Sequence, residues 1–133
     1  MIDILQLEKD LTEYFAEQLG LVVDGTIFRA KVPESVKYGA AVRILNQYPN
    51  NDFSQPLYSV QITGKYPSRD ESVELATKCA RLFPVYGEQT EHFNIVFIQS
   101  DGGINAPVSI EDKGQRFHFL SVNLTVSVLT RKA

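Results

Sequence analysis

Leu120-Ser121-Val122-Asn123-Leu124-Thr125-Val126-Ser127-Val128 alternates strictly between apolar and polar side chains. Apolar residues hold every even position, and hydroxyl or amide side chains hold every odd one. That is the period of a β-strand with one face in a core and the other towards water. Three of the five apolar residues are valine, whose branched Cβ suits a pleated sheet. With its flanks the strand is predicted over 116–131. At roughly 3.3 Å per residue it would cross a whole small domain. Upstream, Phe117 and Phe119 hold odd positions, so the apolar phase reverses between Phe119 and Leu120, a change that a β-bulge would resolve. A strand this long needs partners, and the rest of the chain is expected to supply them.

Moving towards the N-terminus, Asn94 through Ser100 is a short hydrophobic run without alternation, as expected of a central strand buried on both faces. A long loop from Asp101-Gly102-Gly103 to Gln115 joins it to the organising strand. Ser68-Arg69-Asp70-Glu71 reads as a capping box opening a helix that runs to about Phe83 and stops at Pro84. Its acidic residues come early and its basic ones late, which suits the macrodipole. Val73, Leu75, Ala76, Cys79, Ala80, Leu82 and Phe83 make its apolar arc wide enough to lie flat on a sheet. Tyr58, Val60 and Ile62 alternate with Ser59, Gln61 and Thr63 in a half-buried strand closed by Gly64 and Pro67. Val42-Arg43-Ile44-Leu45 reads as its hairpin partner across a polar loop around Pro49-Asn50-Asn51-Asp52. At the start, Ile4, Leu7, Leu11, Tyr14 and Phe15 form one helical stripe over residues 4–19. Asp3 is the expected N-cap and Gly20 the expected C-terminal glycine. The predicted fold is a single α+β domain over 1–133, with one mixed sheet of four to five strands, two helices packed against it and long loops.

The chain has 133 residues, with 44% hydrophobic and 22% charged, which fits one globular domain. Its formal net charge is −3, and its basic residues are scattered apart from Arg131-Lys132. That balance argues against sequence-specific nucleic-acid reading. One cysteine excludes an intrachain disulfide. Charged residues among the first ten argue against a signal peptide, and no apolar run reaches the ~20 residues a spanning helix needs.

No catalytic pattern emerges. Cys79 sits in the apolar arc of its helix, where a thiol is inert. His92 lies in a polar connection and His118 between two phenylalanines, without the spacing of a metal site. Glu111-Asp112 reads as a solvated turn, and Asp101-Gly102-Gly103 lacks the lysine and the helix of a phosphate loop. The expectation is no enzyme, no cofactor and no metal.

The order of elements carries a resemblance. Thr26-Ile27-Phe28 precedes Lys31-Val32-Pro33 and the Val42-Arg43-Ile44 strand. The Val60-Gln61-Ile62 strand is followed by a capped helix. Ala106-Pro107 leads through Asp112-Lys113-Gly114-Gln115 into the strand from Phe117 to Val128. Over most of its length the chain resembles the tail terminator proteins (minor tail or minor capsid proteins) of long-tailed bacteriophages. The resemblance implies a structural protein of the virion tail, assembled in the bacterial cytoplasm. Such a protein forms a homo-oligomeric ring, a hexamer, that caps the tail tube and offers a surface for head–tail joining. The implied partners are further copies of the chain, the tail tube protein and the head connector protein, with no membrane. The alternative is a small ligand-binding or regulatory α+β dimer without catalytic activity.

Loops as long as 23–40 and 100–115 are usually functional when they persist in a small domain. Their apolar residues are expected to stay wet in a monomer and to be covered by a neighbouring subunit. The candidate subunit or partner contacts are therefore Ile27, Phe28, Val32, Asp101, Ile104, Val108 and Ile110, with the tip around Asp101–Asn105 reaching towards another protein.

Overall fold

The computed structural model describes residues 2–48, 57–101, 108–112 and 114–131. Among them the chain forms α1 (Ile4–Leu19), β1 (Ile27–Arg29), β2 (Gly39–Tyr48), β3 (Leu57–Tyr66), α2 (Arg69–Leu82), β4 (Val85–Gln89), β5 (Phe93–Ser100), β6 (Val108–Asp112) and β7 (Gln115–Thr130). The strands make one sheet in the order β1-β2-β3-β7-β5-β4, and β6 pairs β7. β1 and β2 run parallel while every other pair is antiparallel, so the sheet is mixed. The α+β architecture is as expected. The strand number is higher, because β1, β4 and β6 are short pieces inside segments that read as loops.

β7 is the spine. One of its edges pairs β3 from His118 to Ser127. The other carries β6 at Gln115–Phe119 and β5 from Leu124 to Thr130. Its even residues Leu120 to Val128 are buried together with Tyr58, Val60 and Ile62 of β3, beneath Leu7, Leu11 and Phe15 of α1 and Leu75 and Cys79 of α2. The two helices thus cover one face of the sheet. The β3–β7 register runs without interruption through Phe119 and Leu120, so the expected bulge is absent from that ladder. Phe117 and Phe119 keep the odd phase because they belong to the opposite face. Register breaks occur instead between Ile44 and Asn46 on β2 and between Ile95 and Phe97 on β5. The second break explains the unalternating run in β5. Ile95 and Ile98 both reach the core, while Val96 and Phe97 are only half-buried, so this strand is not buried on both faces.

The helix ends follow their chemistry. Asp3 accepts hydrogen bonds from the Leu5 and Gln6 backbone amides, and Gly20 adopts φ 70 with its N–H on the Ala16 carbonyl. Ser68 Oγ accepts from Glu71 N at 3.3 Å. The stripe that α2 buries is narrower than its apolar arc: Ser72, Leu75, Ala76 and Cys79, with Ala80 left exposed. Ser72 belongs there because its hydroxyl donates to the His118 carbonyl at 2.9 Å, tying α2 to β7. α2 approaches the sheet closely over Gly64, where an added Cβ would lie 2.7 Å from Leu75 Cδ2 and 2.8 Å from Tyr66 Cε2.

Candidate functional site

The second face of the sheet has no helix over it among the described residues. Its centre is polar. Arg43 Nε and Nη2 donate to Gln61 Oε1 at 3.3 and 3.0 Å, and Gln61 Nε2 donates to Asn123 Oδ1 at 3.1 Å, a ladder across β2, β3 and β7. Towards one end the face becomes aromatic. Lys65 Nζ lies 4.6 Å from the Phe117 ring centroid and donates to the Val36 carbonyl at 3.1 Å. The lysine thereby straps the connection before β2 over the ring, joining a cation–π contact to a hydrogen bond. Phe117 is buried as a result, although no helix lies over this face among the described residues.

Beside this strap opens a cleft of about 530 Å³. Lys31, Val32 and Glu34 line it from one side and Arg43, Thr63 and Lys65 from the sheet. Ile110, Glu111, Phe117 and Phe119 line it from the β6–β7 hairpin. Val32, Ile110, Phe117 and Phe119 supply its apolar surface, and charges of both signs, Lys31, Arg43 and Lys65 with Glu34 and Glu111, surround them.

The sheet edges differ in protection. β1 is three residues long, and beyond it the β2 edge is capped from α1, where Glu8 Oε2 accepts from Ile44 N at 3.1 Å. β4 is kinked at Gly87, whose φ of 69 breaks the regular row of pairing groups. β6 has no such guard among the described residues. It pairs β7 on one side only and carries Val108 at 59% and Ile110 at 49% exposure.

The structure sorts the expected contact residues accordingly. Val32 and Ile110, 78 positions apart in the chain, line the same cleft, and Val108 flanks it on the open strand. Ile27 and Phe28 do not stay wet in the monomer. They are 0% and 6% exposed, because β1 pairs β2 and places Ile27 in the core beneath α1. Burial of each stabilises the fold by about 1.5–3 kcal/mol, which removes them from the surface available to a partner. Asp101 is turned back onto β7: its N–H donates to the Asn123 carbonyl and its carboxylate accepts from the Thr125 hydroxyl. Ile104 and Asn105 lie outside the described residues.

A second constellation is formed by residues distant in sequence. Asp10 of α1 is buried, with its carboxylate in the turn between β4 and β5. Oδ2 accepts from Thr90 Oγ1 and from His92 N, both at 2.8 Å, and Oδ1 accepts from Gln6 Nε2 at 3.1 Å. His92 Nδ1 stands 3.1 Å from each oxygen. Burial alone would raise this carboxyl. The His92 backbone N–H and the Thr90, His92 and Gln6 side chains outweigh it and hold the group below its ordinary value. Asp10 is a clamp fastening the first helix to the far side of the sheet. Cys79 is fully buried, and its desolvation pushes the thiol up to about 11, leaving it unreactive. Among the described residues no helix is long and apolar enough to cross a membrane.

No protein-family model matches the chain, and no curated protein sequence matches it.

Proposed function

We propose that this chain is a structural virion assembly protein of a long-tailed bacteriophage. It associates with copies of itself into a ring, six-membered by the resemblance, that caps the tail tube and forms the tail-side surface for head–tail joining. The observation that carries this reading is the β6 edge, unguarded among the described residues, beside a cleft walled in part by Val32, Ile110, Phe117 and Phe119. Among the described residues two sheet edges are closed or kinked, while the third, β6, pairs β7 alone and exposes Val108 and Ile110. A monomer that exposes such an edge invites strand pairing, and a protein built to assemble uses it. Without a constellation of nucleophile, base and oxyanion donors among the described residues, assembly is favoured over catalysis. The acidic balance is compatible with a ring around passing DNA, because a channel wall that held phosphates strongly would impede transit. Electron microscopy of the purified chain tests the proposal. Closed rings with sixfold symmetry support it, whereas single particles of monomer or dimer size reject it. A dimer would favour the regulatory reading.

A further inference from the structure

We infer that His92 and Glu91 form a binding site for a divalent transition-metal ion, with Asp10 as the buried carboxylate that orients the imidazole. Asp10, Glu91 and His92 each present a ligand atom, and these atoms all lie within 4.8 Å of one another. Their roles differ. Asp10 already accepts from the His92 backbone, Thr90 and Gln6, so it has little acceptor capacity left for an ion. It does accept the Nδ1 proton of His92 at 3.1 Å. A neutral imidazole protonated at Nδ1 carries its lone pair on Nε2. That nitrogen lies 3.9 Å from Glu91 Oε1.

Metal–ligand bonds of about 2.0–2.2 Å bring two ligands of one ion to roughly 3–3.5 Å of each other. Glu91, with 66% of its side chain exposed, closes the difference by a small rotation. A carboxylate behind the imidazole raises ligand basicity and holds the ring in one orientation. His92 has a further restraint, since its own backbone N–H is fixed to the same carboxylate. The His92 side chain is 41% exposed, so an ion reaches it from solvent and fills its remaining positions with water. Next to Asp10 and Glu91 a cleft of about 370 Å³ is lined further by Glu13, Glu17 and Arg131, so acidic side chains outnumber the one base beside the site. An imidazole–carboxylate pair selects Zn²⁺, Ni²⁺ or Cu²⁺ over Mg²⁺ and Ca²⁺, which prefer all-oxygen shells. The inference is independent of the assembly reading.

Calorimetric titration of the full, untagged chain with zinc chloride tests it. One ion per chain is expected, undisturbed by excess magnesium. His92→Ala and Glu91→Gln are each expected to weaken binding more than tenfold, Asp10→Asn ten- to a hundredfold, and His118→Ala not at all. Glu91→Gln alters an exposed side chain, so it tests the site even where Asp10→Asn fails to fold. In nitrogen-detected NMR of the imidazoles, zinc is expected to shift Nε2 of His92 rather than Nδ1. Absence of saturable binding, binding that survives His92→Ala or Glu91→Gln, or ligation through Nδ1 would each overturn the assignment.

Discussion

Replacing Asp10 by alanine removes the acceptor that fastens α1 to the turn between β4 and β5. Of its donors, the Gln6 amide and the half-exposed His92 ring find water once the carboxylate is gone. The Thr90 hydroxyl and the His92 backbone N–H are the ones held close, both at 2.8 Å. Hydrogen bonds to a charged group contribute about 1.5–3 kcal/mol each, so at the lower end of that range losing these two costs about 3 kcal/mol. For a domain of this size that lowers Tm by roughly 10 °C. The loss should depend on pH with a definite sign. The folded carboxyl titrates below its ordinary value, so the clamp contributes stability above the unfolded pKa of about 3.9 and loses it as pH falls through the folded value. Urea unfolding followed by circular dichroism should therefore show a wild-type advantage of about 3 kcal/mol at pH 7 that narrows as the pH falls below about 4. A difference under about 1 kcal/mol at pH 7, or one that persists unchanged to pH 2, would refute the clamp.

Three further outcomes follow from the packing. Gly64→Ala is expected to cost about 1–3 kcal/mol in chemical denaturation, because the new methyl meets Leu75 and Tyr66 within 3 Å. Phe28→Asp and Ile110→Asp should part company: the first buries a charge and loses the folded circular dichroism signal, while the second changes a residue 49% exposed, stays folded and sediments as a smaller species. Cys79→Ala should cost about 1 kcal/mol through a small cavity. The native thiol, pushed up to about 11, should resist a disulfide reagent at pH 8 until the protein is unfolded.

Much of this architecture is legible from local pattern. Asp3, Gly20 and Ser68 mark helix ends through backbone groups a few residues away, and the even residues of β7 declare their face by simple alternation. The rest depends on partners that are distant in the chain. Phe117 and Phe119 read as a phase error because aromatic residues are normally assigned to a core. Here Lys65 and the connection before β2 shelter Phe117 on the face that carries no helix among the described residues. Ile27 and Phe28 look like loop residues because β1 is three residues long and has no period of its own. Pairing with β2 is what buries them. β4 and β6 escape notice for the same reason, being short, polar and dependent on a neighbour. Asp10 and His92 stand 82 positions apart. An aspartate on a helix beside Lys9 and Glu13 reads as a solvated charge until the sheet brings the turn to it. Val32 and Ile110 were approachable from sequence, since both are apolar in long segments, but the cleft that unites them required the β6–β7 hairpin.

Self-association through the β6 edge would show in the mass of the native assembly. Native mass spectrometry of the full chain at micromolar concentration should give a species of six copies, reduced to one copy by Ile110→Asp. A wild-type protein that appears as a monomer or a dimer would rule out the ring.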